Sequence, residues 1–187
     1  MAMWFITITL TLLFSSLTAA ENSDFFEYVS PNSLGLKKEK LLHLHFFLHD
    51  VTSGSKPTAV QIAEAQTTNT SSTFFGFLAI ADDPLTVGPD PGSKVVGKGQ
   101  GLYGFSDQNE VALVMLFNLV FTEGKFNGST LSLLGRNLIF ENERELTIVG
   151  GSGVFKLARG FADLKKYSLD NKTGNAIVEY NIYVFHY

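Results

Sequence analysis

Leu42–Asp50 reads LHLHFFLHD, and its parity decides the fold class. Side chains alternate faces along a strand. Leu42, Leu44, Phe46, Leu48 and Asp50 therefore share one side, and His43, His45, Phe47 and His49 the other. One face is apolar and ends in a single carboxylate. If that face lines a barrel, Asp50 meets a greasy interior, where burial raises the pKa of a carboxyl and suits it to proton transfer. In the other reading the strand end reaches solvent, since Thr52-Ser53-Gly54 follows at once.

Outward from that strand the pattern repeats. Short β-rich stretches punctuated by Gly, Pro, Asn and Asp occur at Leu42–Val51, Thr58–Gln66, Thr73–Ala81, Lys94–Phe105, Val111–Thr122, Ser129–Leu134, Glu145–Val149, Ala162–Leu169 and Asn175–Phe185. Asn127-Gly128 suits a tight hairpin, Asn171–Gly174 a longer one, and a single helical turn fits Val154–Ala158. No window carries a sustained helical period. Many short strands with tight turns imply an all-β sandwich or closed antiparallel barrel. Val111–Phe121 (VALVMLFNLVF) is apolar on both faces apart from Asn118. Its outer face needs a cover, which points to a homo-oligomer, or else to the N-terminal arm.

The ends of the chain differ from this core. Met1–Ala20 has no charged side chain, an apolar run from Met3 to Phe14, and small residues at its close. It reads as a secretory signal, too short in its apolar run to span a bilayer. Residues 21–40 read as an irregular arm and residues 41–187 as the barrel domain. In a secreted chain Asn69, Asn127 and Asn171, each in an N-x-S/T sequon, are candidate glycosylation sites.

Composition removes several functions. The 187 residues include 14 basic and 18 acidic side chains, a formal charge of −4 with no basic run, which argues against nucleic acid or an anionic membrane as partner. There is no cysteine, hence no disulfide, thiolate metal site or thiol nucleophile. His43, His45 and His49 share a face, but a metal needs a third ligand that the spacing does not supply, so no metal is expected. The glycines of Gly97–Gly101 and Gly150–Gly153 match no phosphate loop, and no G-x-S-x-G occurs. Asp82-Asp83-Pro84 reads as the end of a strand entering a solvated turn, with only one of the two carboxylates able to enter a pocket. Arg136, Arg144 and Arg159 lie in apolar surroundings, and each must pair or reach water.

Seven segments then carry a resemblance: Leu44–Thr52 (LHFFLHDVT), Asp82–Val87 (DDPLTV), Val96–Tyr103 (VGKGQGLY), Phe117–Ser129 (FNLVFTEGKFNGS), Ile148–Gly153 (IVGGSG), Ala158-Arg159-Gly160 and Glu179–Tyr187 (EYNIYVFHY). In this order they resemble the plant dirigent proteins over nearly the whole chain after the leader. The resemblance implies an eight-stranded antiparallel β-barrel with one apolar central pocket, secreted to the apoplast, glycosylated and usually trimeric. It implies no cofactor and no oxidative centre. Phenoxy radicals would come from a separate oxidase, a laccase or peroxidase, and the pocket would fix how the phenolic small molecules couple.

The residues that the resemblance places in catalysis are Asp50, Tyr103 and Arg144, with Phe105 and Asn137 along the substrate; Asp83 and Arg159, a carboxylate able to enter a pocket and an arginine able to face it, are further candidate substrate contacts. Two positions depart from the lignan-forming pattern: Asn137 stands for a second aspartate and Phe105 for a second tyrosine. Gly135-Arg136-Asn137 and the EYNIYVFHY ending are similar to a subgroup containing pterocarpan synthases, which dehydrate an isoflavanol and close a ring. Three readings follow: a guide for phenoxy radical coupling, an isoflavanol dehydratase and cyclase, or a passive carrier of an apolar ligand.

Overall fold

The alternation of Leu42–Asp50 is realised in β1 (Lys40–Asp50), the strand at which the sheet closes. A computed structural model describes residues 26–187. The signal reading of Met1–Ala20 lies outside the described residues. The chain falls into two units, which meet in sequence at Gly35/Leu36. In the first unit the described residues are exposed and contain one 3₁₀ turn, Pro31–Leu34.

In the second unit β1 is followed by β2 (Ala59–Ala63), β3 (Leu78–Thr86), β4 (Val95–Phe105), β5 (Ala112–Phe121), β6 (Thr130–Leu138), β7 (Glu143–Ser152), β8 (Arg159–Leu169) and β9 (Ala176–His186). From β3 to β9 each strand pairs antiparallel with the next, and β9 pairs with β1 along its whole length. The ring closes where Phe47 and Leu48 of β1 pair with Thr86 and Leu85 of β3. Eight strands thus make an all-β, closed antiparallel barrel, as expected, with no α-helix among the described residues. The short β2 pairs only with β3, through Leu78–Ala81, so β1 and β2 follow one another along a single β3 edge.

All nine candidate strands exist, but one is displaced. The segment expected at Thr73–Ala81 is β3, at Leu78–Thr86. Pro84 and its two aspartates suggest a turn as a sequence but are strand interior. Proline is tolerated there because β2 pairing ends at Ala81 and β1 pairing begins at Leu85, which leaves no partner on that edge for the missing N–H. The true turn lies earlier, where Phe74 and Gly76 adopt φ of 58° and 93°. The helical turn expected at Val154–Ala158 is a 3₁₀ turn at Gly153–Phe155.

Inward side chains fill the barrel. Leu85, Leu119, Leu131, Ile182 and Val184 are fully buried. One end is plugged by aromatic rings: Phe155 packs on Phe121, Phe126 and His186 with centroids 5.2–5.6 Å apart. Glycine on β4 makes room for this filling, since a Cβ at Gly99 would lie 2.8 Å from Leu48 Cδ1. Outside, Val60, Ile80, Leu102, Leu116 and Leu134 stand in cross-strand register over β2–β6. Leu116 remains 49% exposed and Leu134 44%, so the second apolar face read in β5 is present and open.

Candidate functional site

At the joint between β1 and β2 the β3 edge loses its backbone partner, and two carboxylates meet there. Pairing of Leu48 with Leu85, carried two residues further in antiparallel register, sets Asp50 opposite Asp83 on the inner face. Asp83 is completely buried, while Asp82, next in sequence, points outward to Lys98 and Gln100, both at 2.7 Å. One carboxylate of the two does enter, as parity requires, but from a strand interior rather than a solvated turn.

Both inner acids hold protons more firmly than usual. Burial raises Asp50 to about 6, opposed in part by the Tyr103 hydroxyl beside it. Burial raises Asp83 further, to about 8, helped by the nearby charge of Asp50 and opposed by a hydrogen bond from Thr58. Like charges crowded in a dry site do not ionise together. Of the two, Asp83 holds its proton the more firmly, because it is the more buried and faces the charge of Asp50. Asp50 Oδ1 and Asp83 Oδ2 are buried without a partner among the described residues.

Four further strands bring polar groups to this interior. Tyr103 on β4 is buried against Phe117, and its hydroxyl is held protonated by burial and by the charges of Asp50 and Asp83. Tyr180 on β9 is buried, stacked on Phe46 at 5.6 Å, and lies within the electrostatic reach of Arg144, Asp83 and Asp50. Arg144 on β7 points inward with Leu146 and Ile148. Burial lowers its pKa, and only Nη1 finds a partner, the Ile139 carbonyl at 3.3 Å. Asn137 on β6 is buried, and continuing the Leu134–Thr147 register sets it opposite Arg144, beyond the point where β6–β7 pairing stops.

Not every candidate joins this group. Arg159 is not at the site: it opens β8 with its side chain outward, pairs with Glu39 at 2.9 Å and lies over Phe185. The cause is parity, because Ala162 and Leu164 take the inward positions of β8. Arg136 is likewise outside, held by Asp107 and Glu110. Phe105 sits at the β4 end of the inner face against Phe74 and Phe77. The histidines separate: His43 stacks on Tyr183, His45 meets Glu179 at 2.7 Å, and His49 is buried against Thr86 at 2.7 Å. Among the described residues no three His, Cys, Asp or Glu are grouped to hold a metal. Asn69, Asn127 and Asn171 are all exposed.

Two site residues escaped the reading of the sequence. Tyr180 was detectable, because Val178, Tyr180, Ile182 and Val184 alternate as an inward set. Thr58 carried no signal, since it matters through a contact 25 residues away in sequence. Arg144 also lines a cavity of about 370 Å³ with Glu143, Glu145, Asp163, Leu164 and Lys165. A second cavity of about 270 Å³, lined by Leu44, Phe46, Val96, Phe121 and Phe126 among others, opens elsewhere. Neither of these two is lined by Asp50 or Asp83.

An inward acid pair with tyrosine and arginine in a closed barrel can give and take protons away from water. The chain is similar to known proteins in sequence and fold. The family model described as Dirigent-like protein matches residues 41–185. "Pterocarpan synthase 1" of Glycyrrhiza echinata is 49% identical over 98% of this chain and 97% of its own length. "Dirigent protein 21" of Arabidopsis thaliana is 46% identical over the full length of both. The solved structure of the pterocarpan synthase dirigent protein GePTS1 superposes with a TM-score of 0.76 at 49% identity, covering 86% of this chain and 89% of that one. The chain belongs to the dirigent-like protein family.

Proposed function

We propose that the barrel takes a phenolic substrate into an apolar pocket beside Asp50 and Asp83 and dehydrates it with ring closure, an isoflavanol being the substrate class. The observation that supports this most is the acid pair itself, two buried carboxyls set opposite one another by the β1–β3 register and both holding protons more firmly than usual.

In the reaction Asp83 gives its proton to the departing hydroxyl, the carbon–oxygen bond breaks and water leaves. The phenol conjugated with that carbon supplies the electron pair and passes its proton to Asp50, forming a quinone methide. A second substrate hydroxyl closes on the carbon and returns a proton to Asp83, while Asp50 returns its own to the phenol oxygen. The net change is loss of one water. The inward faces exclude solvent that would compete for the intermediate, and pocket shape sets the face of attack.

A second reading is supported by relatives named dirigent proteins, such as Dirigent protein 21. There the pocket orients phenoxy radicals made by a separate laccase or peroxidase, and the acid pair guides closure after coupling. Incubating the protein with an isoflavanol alone, and with coniferyl alcohol plus a one-electron oxidant, with chiral chromatography of both, separates the readings. Turnover of isoflavanol without oxidant, lost in Asp50→Asn, supports the first. Chiral coupling that appears only with oxidant overturns it in favour of the second, and binding without chemistry in either arm leaves a carrier. Secretion to the apoplast, glycosylation at the exposed asparagines and assembly as a homotrimer through the Ile80–Leu134 belt belong to the same proposal.

A further inference from the structure

Asp83 does not stand free in the wall. Its Oδ1 lies 2.6 Å from Thr58 Oγ1, the residue just before β2. The threonine is tied on every side. Its N–H donates to the Val51 carbonyl at 2.8 Å, and its own carbonyl accepts from the Asp82 N–H at 2.8 Å. Its hydroxyl oxygen accepts from the Val51 N–H at 3.0 Å. With that lone pair occupied, the hydroxyl hydrogen has two acceptors in range: Asp83 Oδ1, and the His49 carbonyl at 3.4 Å. The shorter contact takes it. Asp83 Oδ2 has no partner among the described residues and is buried.

We infer that Thr58 is a positioning residue, whose hydroxyl occupies Asp83 Oδ1 and so keeps the acidic proton on Oδ2, facing the barrel interior. Asp50 from β1, Tyr103 from β4, Tyr180 from β9 and the neighbouring Asp82 are the other titratable groups near that carboxyl, and Arg144 from β7 lies near Tyr180. None of them is bonded to Oδ1. The 51–58 excursion, which interrupts the β1–β2 line along β3, is then the device that builds the acid. It carries a hydroxyl to the gap on the β3 edge between the β2 pairing, which ends at Ala81, and the β1 pairing, which begins at Leu85. The inference rests on the proton-transfer reading for its use in catalysis, but not for the proton's address.

The test is a titration of the Asp83 carboxyl carbon by ¹³C NMR in the full chain, assigned with Asp83→Asn, for wild type, Thr58→Val and Thr58→Ser. Loss of a donated hydrogen bond moves the Asp83 midpoint upward in Thr58→Val, and Thr58→Ser restores it. A midpoint that falls, stays still, or shifts alike in both variants overturns the assignment. Circular dichroism confirms the fold of each variant, and Thr58→Ser keeps the comparison alive if valine does not fold. On isoflavanol turnover, Thr58→Val lowers kcat by about tenfold with KM little changed, and moves the alkaline limb of the pH profile upward. Serine rescues both, and a fall confined to KM overturns the positioning role. Because the NMR reading needs no turnover, an inactive wild type would sink the dehydration reading and leave the Thr58 assignment standing.

Discussion

Asn137 Nδ2 donates to Met115 Sδ at 2.9 Å, and this contact orients the amide. A thioether only accepts, so the NH₂ group faces it and the amide oxygen is turned away. That oxygen is buried without a partner among the described residues, opposite an arginine whose Nε and Nη2 are also unpartnered. An acceptor and two donors facing one interior suit a hydroxyl, which can donate to the amide while accepting from the guanidinium.

From this follows a binding preference. A phenol with a free hydroxyl binds more tightly than the same compound with a methyl ether at that position, because the ether leaves the buried carbonyl unpaired. The difference is about tenfold to a hundredfold in Kd by isothermal titration calorimetry, and Asn137→Leu removes it. Equal affinities for phenol and ether in the native protein would refute the role.

The acid pair makes stability pH-dependent. The folded chain holds protons on Asp50 and Asp83 to about pH 6 and 8, whereas the ordinary value for each is 3.8. Below both ordinary values the states bind protons alike and the pair costs nothing. As pH rises above 4 the unfolded state ionises first, so stability falls, by at most ~1.4 kcal/mol per pH unit for each acid. Denaturant unfolding at pH 4, 6 and 8 should show Asp83→Asn gaining on wild type as pH rises. A constant difference would mean that Asp83 ionises normally in the folded state.

Asp50→Asn leaves an isosteric side chain that cannot take a proton. Turnover of an isoflavanol should fall by about 10²–10⁴-fold, with the fold unchanged by circular dichroism. Retention of full activity would remove Asp50 from the chemistry.

The open apolar belt bears on assembly. Leu116→Lys or Leu134→Lys places a charge in the middle of it, and sedimentation velocity should show a shift from oligomer to monomer with little change in unfolding midpoint, since both side chains are about half exposed. An oligomer that survives both substitutions uses another surface.

Strand existence was legible because alternation is a local property. LHLHFFLHD shows one apolar face that ends in Asp50, whereas VALVMLFNLVF, apolar on both sides, does not choose between its faces, and Tyr103 and Arg144 are legible only through the family resemblance. Asp83 was legible only in part. Its opposition to Asp82 follows from parity, but Pro84 made the stretch look like a turn, and what excuses a proline there is a gap between two other strands.

What the chain by itself determined is therefore the existence of the strands, the absence of thiol chemistry and the family pattern spread over seven segments. Only the closed barrel decided which inward residues meet. Asp50 and Asp83 are brought together by the β1–β3 closure, Thr58 reaches Asp83 across the 51–58 excursion, and Arg159 is left outside. Side-chain direction depends on the neighbouring backbone, whereas contact between strands depends on register, and register is set by pairing between segments far apart in sequence.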